Sequence, residues 1–113
     1  MRIFLLMLVS VLVAAPAAAD DGPSYDLAIS RLRGCVTAGA TGAPRDTLQA
    51  ALVAIGSLCR PQLNTAYTAS DARVDAANPR ADRDLLVRLR QQARRGIDHD
   101  LTILVAKNAG FQP

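Results

Sequence analysis

One histidine, two cysteines and a run of arginines are the residues of this chain whose chemistry could go beyond packing. His99 stands in Asp98-His99-Asp100, so carboxylates flank a group able to act as a base or a metal ligand. Successive residues on a helix diverge by about 100°, and those three side chains cannot converge on one ion unaided. No second histidine is available to complete a set. Neither a metal nor a cofactor is expected, and catalysis through His99 is not expected. Arg83, Arg90 and Arg94 share one helical face, with Arg80, Arg88 and Arg95 nearby. A guanidinium stripe of this kind can grip phosphate or carboxylate groups, which makes these three the candidate anion-binding residues. Asp84 precedes Arg88 by four residues and Asp98 follows Arg94 by four, however, which is the spacing of ordinary surface pairs. No aromatic ring lies on the segment to stack a base, and nucleic acid is not an expected partner.

Two local resemblances bear on function. His99-Asp100 is similar to the His-Asp pair of secreted phospholipases A2, in which the histidine activates water and the aspartate binds calcium. That family flanks the pair with cysteines and adds a Gly-rich calcium loop, and this chain has neither. Leu63-Asn64-Thr65-Ala66-Tyr67 resembles the Leu-Asn-x-x-Tyr element of exported lysozyme-inhibitor proteins. The likeness spans five residues, without the tryptophan and terminal cysteine those proteins carry, and with Tyr67 at a different offset from Asn64.

The address of the protein is written more plainly than its chemistry. Arg2 precedes an apolar run from Ile3 to Ala15, and Pro16-Ala17-Ala18-Ala19 follows. This is the anatomy of a secretory signal peptide over residues 1–19, with small residues for the peptidase and a proline that ends the helical run. Ile3 to Ala19 is 17 residues, short of the roughly 20 that span hydrocarbon, which favours cleavage before Asp20 over an uncleaved anchor. Later apolar runs are all interrupted within a few residues, so no stable membrane insertion is expected after cleavage. A bacterial periplasmic or secreted product follows.

Cleavage leaves 94 of the 113 residues, enough for a single domain with a modest core. Its twelve bases against ten acids make a mild positive excess that names no partner. All ten acids are aspartate, and Lys107 is the one base that is not arginine. Cys35 and Cys59 both lie in the exported part, where an even count is read first as a disulfide. The alternatives are a bridge between chains or a redox pair, and no C-x-x-C spacing activates either thiol. Closing the loop between the cysteines restricts the unfolded chain by roughly 3–4 kcal/mol on the entropic account.

The elements that must carry these residues are helical. Tyr25, Ala28, Ile29, Leu32, Cys35 and Val36 recur at three and four, which predicts a helix over about 24–39 with Ser24 as cap. Gly39, Thr41 and Gly42 end it, and Pro44 is placed to open a second helix over about 44–69. Pro61 predicts a kink in that helix, because its ring removes one N–H and crowds the carbonyl four residues back. Ser70 to Asn78 reads as a connector with room for a turn of helix at Asp71 to Ala77, and Asn78-Pro79 as a start signal. Leu86, Leu89, Ala93, Ile97, Leu101 and Leu104 then predict the longest helix, over about 79–107.

The expected fold is therefore all-α, a small three-helix bundle over residues 20–113 stapled by one disulfide. At 1.5 Å per residue, Cys35 would lie about 6 Å from its helix end and Cys59 about 22 Å from its helix start. The connector must therefore run on before turning, or the helices must cross obliquely. The expected function is that of a non-catalytic periplasmic binding or accessory module acting on a protein or envelope component. The competing readings are an envelope stress or acid chaperone and a lysozyme-inhibitor-like protein.

Overall fold

The computed structural model describes residues 21–111, so the expected leader over 1–19, its cleavage site and the last two residues lie outside it. Four helices and no strand make up the described residues: α1 (Asp21–Ala40), α2 (Leu48–Leu58), α3 (Arg60–Ala77) and α4 (Arg83–Ala109). The all-helical, disulfide-linked bundle is as expected, but the second of the three expected helices is broken in two.

The break falls at Cys59, whose backbone (φ −102°, ψ 19°) ends α2 and begins α3. Pro61 has no N–H to give and its ring crowds the carbonyl of residue 57, so a straight helix cannot pass through. Hydrogen bonding survives on both sides: Cys59 N–H donates to Ile55 O at 2.8 Å and Leu63 N–H to Cys59 O at 2.9 Å. The chain thus changes direction at little cost in backbone pairing.

Several boundaries differ from the sequence expectation: α1 starts at Asp21, so Ser24 lies inside it instead of capping it, and three others shift for a local reason. The cap of α2 is Thr47, whose hydroxyl accepts Ala50 N–H at 3.0 Å, so Pro44 and Asp46 lie in the preceding loop. Ser70–Ala77, expected as a connector, continues α3, because Ser70 is buried and Asp71 and Asp75 have partners on α4. Asn78 closes that helix rather than opening the next, its side-chain amide donating to Val74 O at 2.8 Å. The cap of α4 is Asp82, which accepts Leu85 N–H at 2.8 Å. At the far end Gly110 takes φ 88°, and its N–H and that of Phe111 both reach Ala106 O.

Cys35 and Cys59 are joined, with Cα atoms 5.9 Å apart. The later start of α2 shortens its arm to Cys59 to about 17 Å, and the loop from Thr41 to Thr47 covers the remaining offset. Gly39 helps here, since a Cβ on it would stand 2.9 Å from Leu58 Cδ2 of α2. At the other end of the pair the Arg73 guanidinium lies 4.3 Å from the Tyr25 ring centroid, so α1 and α3 run antiparallel. α4 returns antiparallel to α3, and α2 is the bent extension of α3 across the ends of α1 and α4.

The core is thin. Leu32, Val36, Cys59 and Val105 are its largest fully buried side chains, Ile55 and Ile97 join them, and Ala28, Ala40, Ala51, Ala66, Ala106 and Ala109 fill the rest. Small residues bring the helix axes close but bury little apolar area each, so the covalent link supplies a large share of the stability. Replacing both Cys35 and Cys59 by serine is expected to lower unfolding stability by roughly 3–4 kcal/mol in urea titrations at neutral pH. Leu32→Ala in the bridged protein is expected to cost about 2–5 kcal/mol, because Leu32 is 1% exposed at the centre of α1. A change below about 1 kcal/mol in either titration would contradict this account of the core.

Candidate functional site

Between α3 and α4 three pairs of side chains form a ladder. Tyr67, Asp71 and Asp75 recur every four residues on α3, and Asp98, Arg94 and Arg90 recur every four residues in the opposite sense on α4. Two antiparallel helices keep step over such a repeat, so each residue meets one partner. Arg90 donates from Nε and Nη2 to Asp75 at 2.8 and 2.6 Å. Arg94 does the same to Asp71 at 3.1 and 2.5 Å. The Tyr67 hydroxyl donates to Asp98 Oδ1, and the Arg94 guanidinium lies 4.9 Å from the Tyr67 ring centroid.

These contacts set the acid–base behaviour of the ladder. The hydrogen bonds from Arg90 hold the Asp75 carboxyl below the usual carboxylate range, and the aspartates in turn raise both guanidiniums. Burial, followed by the bond to and charge of Asp98, pushes the Tyr67 phenol up to about 12.

The arginine stripe is consequently not a free cationic surface. Arg90 and Arg94 are each held by both oxygens of an α3 carboxylate, while Arg83, in the exposed first turn of α4, forms no ion pair among the described residues. The pairing along α4 expected from spacing is also replaced. Arg94 reaches across to Asp71 instead of along its own helix to Asp98, and Asp98 turns to Tyr67. The complementary four-residue repeats of Asp71/Asp75 and Arg90/Arg94 are the signal in the sequence, and it becomes visible only once the segment from Ser70 to Ala77 is helical throughout.

His99 is exposed on α4, and its neighbours diverge. Asp98 faces α3, whereas Asp100 lines a space between α1 and α4 beside Tyr25 and Arg33. No group of three or more metal-ligating side chains occurs among the described residues. The segment Leu63–Tyr67 is likewise spread around α3. Ala66 is buried, Asn64 and Thr65 line an outer groove, and Tyr67 joins the ladder.

Leu63 opens onto the feature best suited to hold a ligand. A cleft of about 240 Å³ lies where α1, α2 and α4 meet beside the disulfide. Leu32 and Val36 from α1, Leu52 and Ile55 from α2, and Leu101 and Val105 from α4 line it, with Cys59 and Leu63 at the bend. Its polar lining residues are Asp98 and Thr102. Gly56 leaves the α2 wall low: a Cβ there would meet no atom within 4 Å beyond its own helix backbone and chain neighbours. The outer groove between α1 and α3 is larger, about 550 Å³, but it is shallow and floored by alanine and threonine around Arg31. An apolar recess with few polar groups is the ordinary form of a small-molecule site, and the cleft has that form.

No protein-family model, curated protein or solved structure matches this chain. None of the described helices is long and apolar enough to cross a membrane.

The ladder makes the protein sensitive at both ends of the pH scale. The raised Tyr67 phenol contributes stability that is complete below its ordinary value of 10.0 and is lost as pH rises towards about 12. The lowered Asp75 carboxyl contributes stability present above its ordinary value of 3.8 and lost as pH falls through its folded value. An absorbance titration of the phenolates should therefore contain a step near pH 12 that Tyr67→Phe removes. A wild-type titration finished by pH 11, with the helices intact, would disprove the bond to Asp98.

Proposed function

We propose that this chain is an exported, non-catalytic binding module of the bacterial envelope, and that the cleft between α1, α2 and α4 is where it binds. The observation that carries this is the position of the cleft. It lies against the Cys35–Cys59 bridge, where a covalent link ties α1 to the α2–α3 junction and a ligand meets walls already in place. The apolar leader over residues 1–19 and a disulfide suited to an oxidising compartment support export. The stripe of Arg83, Arg90 and Arg94 is not part of the proposal, because two of its members are held by Asp75 and Asp71.

A second reading has an observation of its own. α2 carries no charged residue, and Val53 and Leu58 on it are each 63% exposed. An envelope stress chaperone could present such a surface to unfolding clients, loosening further in acid. The two readings separate on rigidity. A stapled module keeps its near-ultraviolet dichroism in mild acid and leaves the aggregation of a heated client unchanged, and a chaperone does neither.

The test begins with the full sequence expressed in a bacterium and the product recovered from the periplasm. Its mass should correspond to a start at Asp20 with both cysteines oxidised. Small molecules extracted from an envelope fraction should then shift the methyl resonances of Leu52, Leu101 and Val105, and Gly56→Leu should abolish the shifts. A retained leader would remove the case for export. Shifts that persist unchanged in Gly56→Leu would remove the cleft as the site.

A further inference from the structure

The rungs between α3 and α4 contain three carboxylates, Asp71, Asp75 and Asp98, but two guanidiniums, Arg90 and Arg94. Asp71 and Asp75 each take one arginine through both oxygens. Asp98 is left over. Its Oδ1 accepts the Tyr67 hydroxyl, and its Oδ2 has no donor among the described residues. A tyrosine neutralises no charge, so the ladder ends in one surplus negative charge.

Asp98 is also where the ladder meets the cleft. Thr102, one turn further along α4, donates its hydroxyl to the Asp98 backbone carbonyl at 3.0 Å. The oxygen of that hydroxyl is then free to accept. The polar residues lining the cleft thus offer acceptors, and no cationic side chain lines it. Behind them lie Leu52, Leu63, Leu101 and Val105.

From this juxtaposition we infer that the cleft binds a cationic amphiphile: a protonated primary amine on a short apolar chain or ring. The inference rests on the proposed role of the cleft and names the ligand class. The ammonium sits against Asp98 and Thr102, and the apolar part lies among the four aliphatic side chains. An ammonium brings three donors and no acceptor, which matches a rim made of acceptors. A carboxylate headgroup would meet Asp98 with like charge. The cleft, at about 240 Å³, exceeds the ~150 Å³ at which an apolar protein cavity accepts benzene, so a six-carbon chain is a suitable probe.

Hexylammonium, hexanol and hexanoate share that chain and differ in the headgroup alone. Each is titrated into the oxidised protein recovered from the periplasm, and binding is followed by calorimetry and by the methyl resonances of Leu52, Leu63, Leu101 and Val105. Hexylammonium should bind about tenfold more tightly than hexanol, as a charge-assisted hydrogen bond outweighs a neutral one, and hexanoate should bind least. Asp98→Asn keeps an acceptor for Tyr67 and should erase the preference for the amine. Gly56→Leu fills the low wall, replaces a helical glycine by a better helix former, and should abolish binding of all three.

Equal binding of the three probes, lost in Gly56→Leu, would overturn the ligand class and leave the cleft as a site. Tighter binding of hexanoate, or an amine preference unchanged in Asp98→Asn, would overturn it equally. No shift of the four methyls at millimolar probe would overturn both the ligand class and the cleft.

Discussion

The bundle depends on the point where the covalent bridge and the break in the middle helix coincide. Cys59 closes α2, opens α3 and is bonded to Cys35 of α1, so three helices are referred to one residue. The unfolded chain loses freedom through this link, and a core in which half the buried apolar residues are alanine can then suffice. Pro61 contributes by making a bend obligatory two residues later, so the direction change falls where the bridge can hold it. Without the bend, α2 would continue along the axis of α3 and would not close over α1 and α4.

The second constraint is electrostatic and sets register rather than bulk stability. Exposed ion pairs contribute little individually, since water screens them and long side chains lose freedom in forming them. What the α3–α4 ladder supplies is selection. A slip of one turn would oppose Tyr67 to Arg94 and Asp71 to Arg90, leaving Asp75 and Asp98 without their present partners. The cost of misalignment exceeds the gain from any one rung. The same arithmetic leaves one carboxylate over, and its residue, Asp98 on α4, lines the apolar recess that the bend lets α2 close.

The cleft follows from these two constraints together. Close approach of α1 and α2 at Gly39 draws the ends of those helices together, while Gly56 leaves the wall beside α4 unfilled. Interiors normally close such spaces because unfilled volume forfeits dispersion contacts. Here the walls belong to helices whose positions are set elsewhere, by the bridge on one side and the ladder on the other, so they are not free to collapse inward.

Much of this was legible in the residues. The three-and-four spacing of Leu32, Cys35 and Val36 and of Leu86 to Leu104 gave the long helices, and Pro61 marked the bend. The cysteine pair was identified because compartment and count leave few alternatives. Boundaries were harder: Thr47 and Asp82 cap helices that Pro44 and Pro79 were expected to open, because a hydroxyl or carboxylate reaching a free N–H outweighs a preset φ. Ser70–Ala77 lacks large apolar residues, and nothing local makes it a helix. It is held by Arg90 and Arg94, which lie 15 and 23 residues away from their partners in sequence. Local sequence determines propensity, capping and covalent partners, since these act between near neighbours or through a bond. Which carboxylate each arginine takes, which one is left at the cleft and whether a cleft exists at all were decided by tertiary packing, because a charge pairs with what is nearest in space.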